Sequence, residues 1–319
     1  MSIPESTHQS IVSLSLNPAI DLTYEITSLE HDKKSRATNT HYDPGGTGIN
    51  VGRALEKLNA NSHTCYFVAG TMGSFLDSML KQELKNAYSL QVIGETRINT
   101  TILQQSPPQQ YEVNAIGPTI SSQQLEKIID QFLTLCGQGI GVLTGSLPPG
   151  TPDDIYSSIN TRLKEQGARA IIDAPVSILK KTFYSKPFLI KPNLHELEVL
   201  RNKTLSSINQ IATEARFIAQ QGISYICVSL GEKGAVLTTP DNSFFCNSPI
   251  INTHSTVGAG DSMVAGLAHA FAQNRNPSEA LKLATACGAG TAKKPGTQLF
   301  NTDELEGLLK EIDVKTLDI

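Results

Sequence analysis

Ser255-Thr256-Val257-Gly258-Ala259-Gly260-Asp261-Ser262 places a carboxylate where small residues open a helix. Met263, Val264, Leu267 and Phe271 recur at i, i+1, i+4 and i+8 and give that helix an apolar face. Its N-terminus therefore aims unpaired amides at the loop. Glycines there let a phosphate approach the backbone, and the positive end of the helix dipole favours the anion. A phosphate repels a carboxylate, so Asp261 beside an anion hole makes chemical sense as the acceptor of a proton from a hydroxyl attacking phosphorus. The same aspartate also suits a plain helix cap, and this motif alone leaves both roles open.

Five further segments carry candidate chemistry, each with a simpler structural reading beside it. Pro44-Gly45-Gly46-Thr47-Gly48-Ile49-Asn50 leads into a helix, where its glycines admit a hydroxylated or phosphorylated ligand and Asn50 both donates and accepts; a tight turn uses the same glycines. It is not a dinucleotide fingerprint, because Val51 stands where the third glycine belongs, and no Gly-Lys dipeptide offers a Walker loop. Asn17-Pro18-Ala19-Ile20-Asp21 and Gly145-Ser146-Leu147-Pro148-Pro149-Gly150 each end a predicted strand, where open parallel sheets bind ligands, and both also read as turns. In Lys191-Pro192-Asn193-Leu194-His195-Glu196, Asn193 and Glu196 are spaced to face one hydrated magnesium ion or phosphate, and equally to form a capping box. Ser229-Leu230-Gly231-Glu232-Lys233-Gly234-Ala235 reads as a hairpin whose glycines leave room for a nucleotide. No motif position requires His195 or His254.

The elements that must hold these loops alternate between β-rich and helical patterns, the signature of crossover units around a largely parallel sheet. Ile11 to Leu16, Cys65 to Ala69, Gly141 to Thr144, Arg169 to Asp173, Phe188 to Ile190 and Tyr225 to Ser229 are predicted strands. Ile49 to Leu58, Phe75 to Leu84, Pro152 to Gln166, Leu194 to Leu200 and Ile208 to Gln220 are predicted helices. Residues 22–42 and about 96–118 are polar and Thr-rich, and are expected to pair into a small sheet standing off the main body. The expectation is one doubly wound α/β domain over residues 1–319 with a β lid.

With 319 residues, 39% of them hydrophobic, the chain can bury a large core. A net charge of -4 offers no basic field, which argues against nucleic acid or membrane as partner and for small molecules met locally. The five cysteines lie far apart with no Cys-x-x-Cys pair, which reads as reduced, buried thiols in a cytoplasmic protein. Met1 to Gln9 lacks the charged start and apolar core of a signal peptide.

Taken in order, Asn-Pro-Ala-x-Asp, Pro-Gly-Gly-x-Gly-Ile-Asn, Thr-Arg-Ile-Asn, Gly-Ser-Leu-Pro-Pro-Gly, Lys-Pro-Asn-x-x-Glu, Ser-Leu-Gly-x-x-Gly-Ala and Ser-Thr-Val-Gly-Ala-Gly-Asp-Ser span about Leu14 to Thr297. This series resembles the ribokinase-like PfkB family of carbohydrate kinases, and within it the branch acting on ketohexose phosphates. The resemblance implies Asp261 as catalytic base and Gly258, Ala259 and Gly260 as the anion hole. It implies Asp21, Gly45, Gly46, Asn50 and Ser146 as sugar contacts and Arg97 as the clamp on the substrate phosphate. Lys34 matches a lid lysine that reaches the phosphate from the partner of a homodimer joined through the lid; Lys33 and Arg36 compete for that match. Lys191, Asn193, Glu196, Ser229, Gly231 and Gly234 match ATP positions, with Glu196 meeting magnesium through water. Backbone carbonyls of Ser255 and Val257 match a potassium site, although Lys294-Pro295-Gly296-Thr297-Gln298 departs from the Asn and Arg of 6-phosphofructokinase members.

The branch contains minor-type 6-phosphofructokinases, 1-phosphofructokinases and tagatose-6-phosphate kinases. The last two typically read Gly-Lys-Gly where this chain has Gly46-Thr47-Gly48. That difference favours fructose 6-phosphate, phosphorylated at its 1-hydroxyl, while Asn17-Pro18-Ala19 and Thr96-Arg97-Ile98-Asn99 look as much like a 1-phosphofructokinase. A sugar-phosphate sensor without catalysis and a nicotinamide oxidoreductase are the other readings. The intact Gly-Ala-Gly-Asp speaks against the first and the missing fingerprint against the second.

Overall fold

A computed structural model describes residues 9–318, so all of the N-terminal stretch except Gln9 lies outside the described residues. In chain order the first half runs β1 (Ile11–Ser15), β2 (Ala19–Ile26), β3 (Ala37–Gly45), α1 (Thr47–Lys57), β4 (Ser62–Ala69), α2 (Gly70–Glu83), β5 (Ala87–Val92), β6 (Arg97–Gln105), β7 (Pro108–Val113) and α3 (Ser122–Cys136). It continues with β8 (Ile140–Thr144), α4 (Ile155–Glu165), β9 (Arg169–Asp173), α5 (Val176–Thr182), β10 (Leu189–Ile190), α6 (Leu194–Arg201), α7 (Ile208–Ala219) and β11 (Tyr225–Ser229). The last elements are β12 (Ala235–Thr238), β13 (Ser243–Cys246), α8 (Ala259–Ala272), α9 (Pro277–Ala292), α10 (Thr302–Glu311) and β14 (Val314–Leu317).

The main sheet is ordered β14-β13-β12-β11-β10-β9-β8-β1-β4-β5. Its strands from β11 to β5 are parallel, and β12 to β14 add an antiparallel edge. Every residue of β1 is buried, as expected for a central parallel strand covered on both faces. Alternation along it splits the core: Val12 and Leu14 pack with residues of α3 and α4, whereas Ile11 packs with α1, α8 and α9. From β1 the chain moves to β4 and β5 on one side and later to β8 and β9 on the other. That reversal leaves a crevice outside the carboxyl ends of the strands beside β1, where doubly wound sheets bind ligands.

The second sheet is ordered β3-β2-β6-β7 and joins the two polar segments, as the sequence led us to expect. Its strands reach further toward the main body than residues 22–42 and 96–118 suggest. Ala19 pairs with both Gly45 and Arg97, and Asp21 with both Asp43 and Asn99. Asp21 was expected to end the first strand; instead β1 stops at Ser15 and Asp21 is the third residue of β2. The physical reason lies in Asn17-Pro18, which break the strand and redirect the chain into the lid. All of β7 and the first six residues of β3 are exposed, so the lid stands clear of the core except at its foot. There Ile20 joins Ile49, Tyr66 and Leu76 in a small apolar cluster.

Helix α2 begins at Gly70, before the expected Phe75, and α4 at Ile155, after the expected Pro152. Helices α3, α5, α9 and α10 and strand β5 carried no sequence expectation. Two of them start on readable capping boxes, Ser121 with Gln124 and Asn276 with Glu279. All five cysteines are buried and free.

Candidate active site

Helix α8 opens on Gly258, whose φ of 76° is the left-handed conformation that glycine adopts without strain. The Ala259 amide, expected in the anion hole, donates to the Thr256 carbonyl at 3.3 Å, whereas the amides of Gly260 and Asp261 have no carbonyl four residues earlier within the helix and remain available to an anion. Lys191 lies across from them. A Cβ placed on Gly260 would come within 3.4 Å of its ammonium Nζ, so glycine keeps the gap between helix end and cation open. Buried Lys191 makes a 3.1 Å ion pair with Asp173 at the carboxyl end of β9. Burial alone would disfavour its charge, but the facing Asp173 outweighs that and raises its pKa.

Asp261 sits in the same first turn and lines a cavity of about 620 Å³ with Asp21, Asn50, Arg97 and Ser146. Asn50 Nδ2 donates to its Oδ2 at 2.8 Å. Burial pushes the Asp261 carboxyl up to about 7; the charges of Asp173 and Asp21 add to the rise, and Asn50 and Lys191 oppose it. A carboxylate with that affinity for protons is matched to taking one from an alcohol near neutral pH. Because the unprotonated form works, kcat/KM should rise with pH up to about 7 and level off above it. A flat profile between roughly pH 5.5 and 8.5 in steady-state assays would remove Asp261 from the role of base.

At the lid foot, Asn99 Nδ2 donates to Asp21 Oδ1 at 2.9 Å. Burial raises the pKa of Asp21, which this bond and the Arg97 charge partly offset. Gly45 is needed for contact with that carboxylate, since a Cβ there would lie 2.2 Å from Asp21 Oδ2. Gly46, at φ 97°, turns the chain into α1 and also lines the cavity. Arg97 donates to the Asn17 carbonyl through Nε at 3.2 Å and Nη2 at 2.8 Å, and to the Ala115 carbonyl through Nη1 at 3.3 Å. These bonds hold the guanidinium plane at the cavity wall.

A second cavity of about 730 Å³ adjoins the first and shares Lys191 and Asn193 with it. Ser229, Gly231, Gly234, Ala259 and Gly260 line it, and its far wall is apolar, with Met263, Ala289 and Ala292. It has the size and the mixed polar and apolar character suited to a nucleotide, with the α8 amides between it and Asp261. Asn193 and Glu196 form a reciprocal capping box, at 2.9 Å and 2.8 Å, and both line the first cavity. The two sequence readings of that segment therefore coexist.

The structure thus gathers the proposed sugar, anion-hole and nucleotide residues around one cleft. Four expected residues are off its walls: Lys34 lies exposed between β2 and β3, and Gly45, Ser255 and Gly258 line neither cavity, although Gly46, Val257 and Ala259 beside them do. Sequence reasoning missed Asn99, Asp173 and Thr297, which line the first cavity. Asn99 lies two residues from Arg97 and so shares its face of β6. Asp173 ends a predicted parallel strand, a position that itself signals a ligand site.

Comparison with known proteins agrees with this geometry. Residues 9–304 match the family described as pfkB family carbohydrate kinase. The chain belongs to that family. It is 33% identical over 310 residues to a 1-phosphofructokinase of Bacillus subtilis, covering 96% of this chain and 100% of that one. It is 33% identical over 309 residues to a tagatose-6-phosphate kinase of Staphylococcus epidermidis, covering 95% and 99%. A crystal structure of phosphofructokinase-2 from Escherichia coli with substrates and products superposes with a TM-score of 0.89 at 27% identity, covering 95% and 98%. The pfkB kinase is therefore an ATP-dependent sugar kinase acting on a hydroxyl group, with the ribokinase-like fold of a mostly parallel sheet and a small second sheet.

Proposed function

We propose that this pfkB kinase transfers the terminal phosphoryl group of ATP to the 1-hydroxyl of fructose 6-phosphate. The observation that carries the reading is Asp261 beside the free Gly260 amide at the start of α8, in a cavity that also holds Asp21 and Arg97. The sugar hydroxyls meet Asp21, Asn50 and Ser146, and Gly45 and Gly46 let the ring approach the backbone. Lys191 is committed to Asp173, which leaves Arg97 as the cation for the substrate phosphate. Asp261 accepts the hydroxyl proton as the oxygen attacks the γ-phosphorus in line. The bond to the bridging oxygen breaks, and ADP leaves with the electron pair.

A magnesium ion fits the donor set, since Glu196 offers one hard carboxylate on the wall of the first cavity, three residues from Asn193, which both cavities share. Among the described residues no group of three or more His, Cys, Asp or Glu could hold a metal, so water and nucleotide phosphates would complete its shell. When bound it shields the phosphate charges. We extend the proposal to potassium at the carbonyls of Ser255 and Val257, where the Val257 amide donates to Ser255 Oγ at 3.2 Å and shapes the loop. A solved Escherichia coli phosphofructokinase-2 is in complex with potassium.

A second substrate reading, fructose 1-phosphate, is favoured by the Bacillus subtilis relative, whereas Thr47 on the cavity wall in place of a lysine favours the first. Purified protein should show its highest kcat/KM on fructose 6-phosphate among fructose 6-phosphate, fructose 1-phosphate and tagatose 6-phosphate. A preference for fructose 1-phosphate overturns the substrate assignment and leaves the kinase chemistry standing. Lys34 completes the site from the partner lid in a homodimer, a role supported by its exposure and by the uncovered faces of β3 and β7. Lys34→Ala should raise KM for the sugar phosphate by about 10-fold, the loss of one charge-assisted hydrogen bond. An unchanged KM in a protein that sediments as a monomer would refute the shared site.

A further inference from the structure

Arg53 is buried in α1 and belongs to no motif considered above. Its Nε donates to Glu83 Oε2 at 2.7 Å. Its Nη1 faces three acceptors: the Pro44 carbonyl at 3.1 Å, Asn50 Oδ1 at 3.4 Å and the Thr297 carbonyl at 3.4 Å. One guanidinium thereby ties the end of α2, the Gly45-Gly46 loop, the side chain of Asn50 and the C-terminal segment of the cleft. Resting on the kinase reading above, we infer that Arg53 is a positioning residue that fixes which end of the Asn50 amide meets Asp261.

The chemistry of the two partners makes the case. An asparagine amide presents a donor at one end and an acceptor at the other, and their positions exchange on a half-turn of the side chain. Arginine carries donors only, so Arg53 captures Oδ1 and turns Nδ2 toward Asp261. In the opposite orientation Oδ1 would face the carboxylate, a lone-pair contact that only a protonated Asp261 relieves. Arg53 therefore keeps the base unprotonated and held at 2.8 Å from Asn50. The other charges that act on Asp261 are Asp173 on β9, Lys191 after β10 and Asp21 on β2; none of them contacts Asn50 through a hydrogen bond. Arg53 lies three residues from Asn50 on one helix face, so the pair is prearranged by α1 itself.

The test compares Arg53→Lys, Asn50→Ala and the double variant. Lysine keeps the charge but not the planar fork. Arg53→Lys should lower kcat by roughly 10-fold or more, as expected for a misplaced reacting group, with KM for ATP little changed. Its acidic limb of kcat against pH should move upward. The double variant should lose no more than Asn50→Ala alone, because both changes remove one link. Additive losses, or an unmoved limb, would overturn the inference. The carboxyl carbon of Asp261, identified by its absence in Asp261→Asn, can be titrated by NMR in wild type and Arg53→Lys without any turnover. Its midpoint should rise in the variant, and an unmoved midpoint refutes positioning even if the kinase reading holds. Conversely, a wild type without sugar-dependent ATP turnover overturns the kinase reading, while the titration still decides the role of Arg53. Should Arg53→Lys not fold, Glu83→Leu removes the acceptor of Nε with Arg53 in place and should move the midpoint the same way by less; no movement counts against the inference.

Discussion

Asp261→Asn is expected to cut turnover by roughly 10²-fold or more, the usual scale for losing a general base, and at the same time to stabilise the fold at alkaline pH. The two effects share one cause. Burial lifts the folded carboxyl from 3.8 to about 7, so between those values the folded state binds the extra proton. Stability therefore falls as pH rises through that window, and the whole cost is present at pH 8. Asparagine keeps the shape and can still accept from Asn50, without the buried charge. At pH 8 the variant should gain about 1–3 kcal/mol, and near pH 4 nothing. Thermal unfolding at both pH values, beside a steady-state assay, decides this. Near-normal turnover, or a variant less stable than wild type at pH 8, refutes the assignment.

Lys191→Met should be the most damaging single change to the fold of the cleft. It strands the Asp173 carboxylate, and removing one member of a buried pair typically costs about 3–5 kcal/mol. The loss should shrink as pH falls, since protonation relieves the unpaired group. Turnover should fall as well, because the ammonium beside Gly260 no longer faces the phosphates. Adding Asp173→Asn should restore much of the stability but not the activity. Recovery of turnover in the double variant would show that Lys191 serves the structure alone.

The glycine-flanked loops were legible because their chemistry is local. Gly258, Gly260 and Asp261 announce a helix start with a base on it, and the helix and the cavity stand where the pattern places them. The lid was legible from its Thr-rich polar segments, but not the point where it joins the body, since Asn17-Pro18 reads equally as a turn. What sequence spacing could not give was contact between distant segments. Arg53 meets Pro44, Glu83 and Thr297, and Lys191 meets Asp173, only because the sheet order brings them together. Their chain separations follow no period, so nothing in a helical or strand pattern announces them.

Strands β2 and β6 begin side by side at Ala19 and Arg97, and within three residues of those starts stand Asp21, Arg97 and Asn99. Asp21 and Arg97, proposed to bind the acceptor, and Asn99, which donates to Asp21, therefore ride on the canopy, while the proposed base stands on α8. In the proposed reaction, a displacement of that canopy relative to α8 would carry the three groups as one body, so that binding the alcohol and aligning it over the proton acceptor would be coupled.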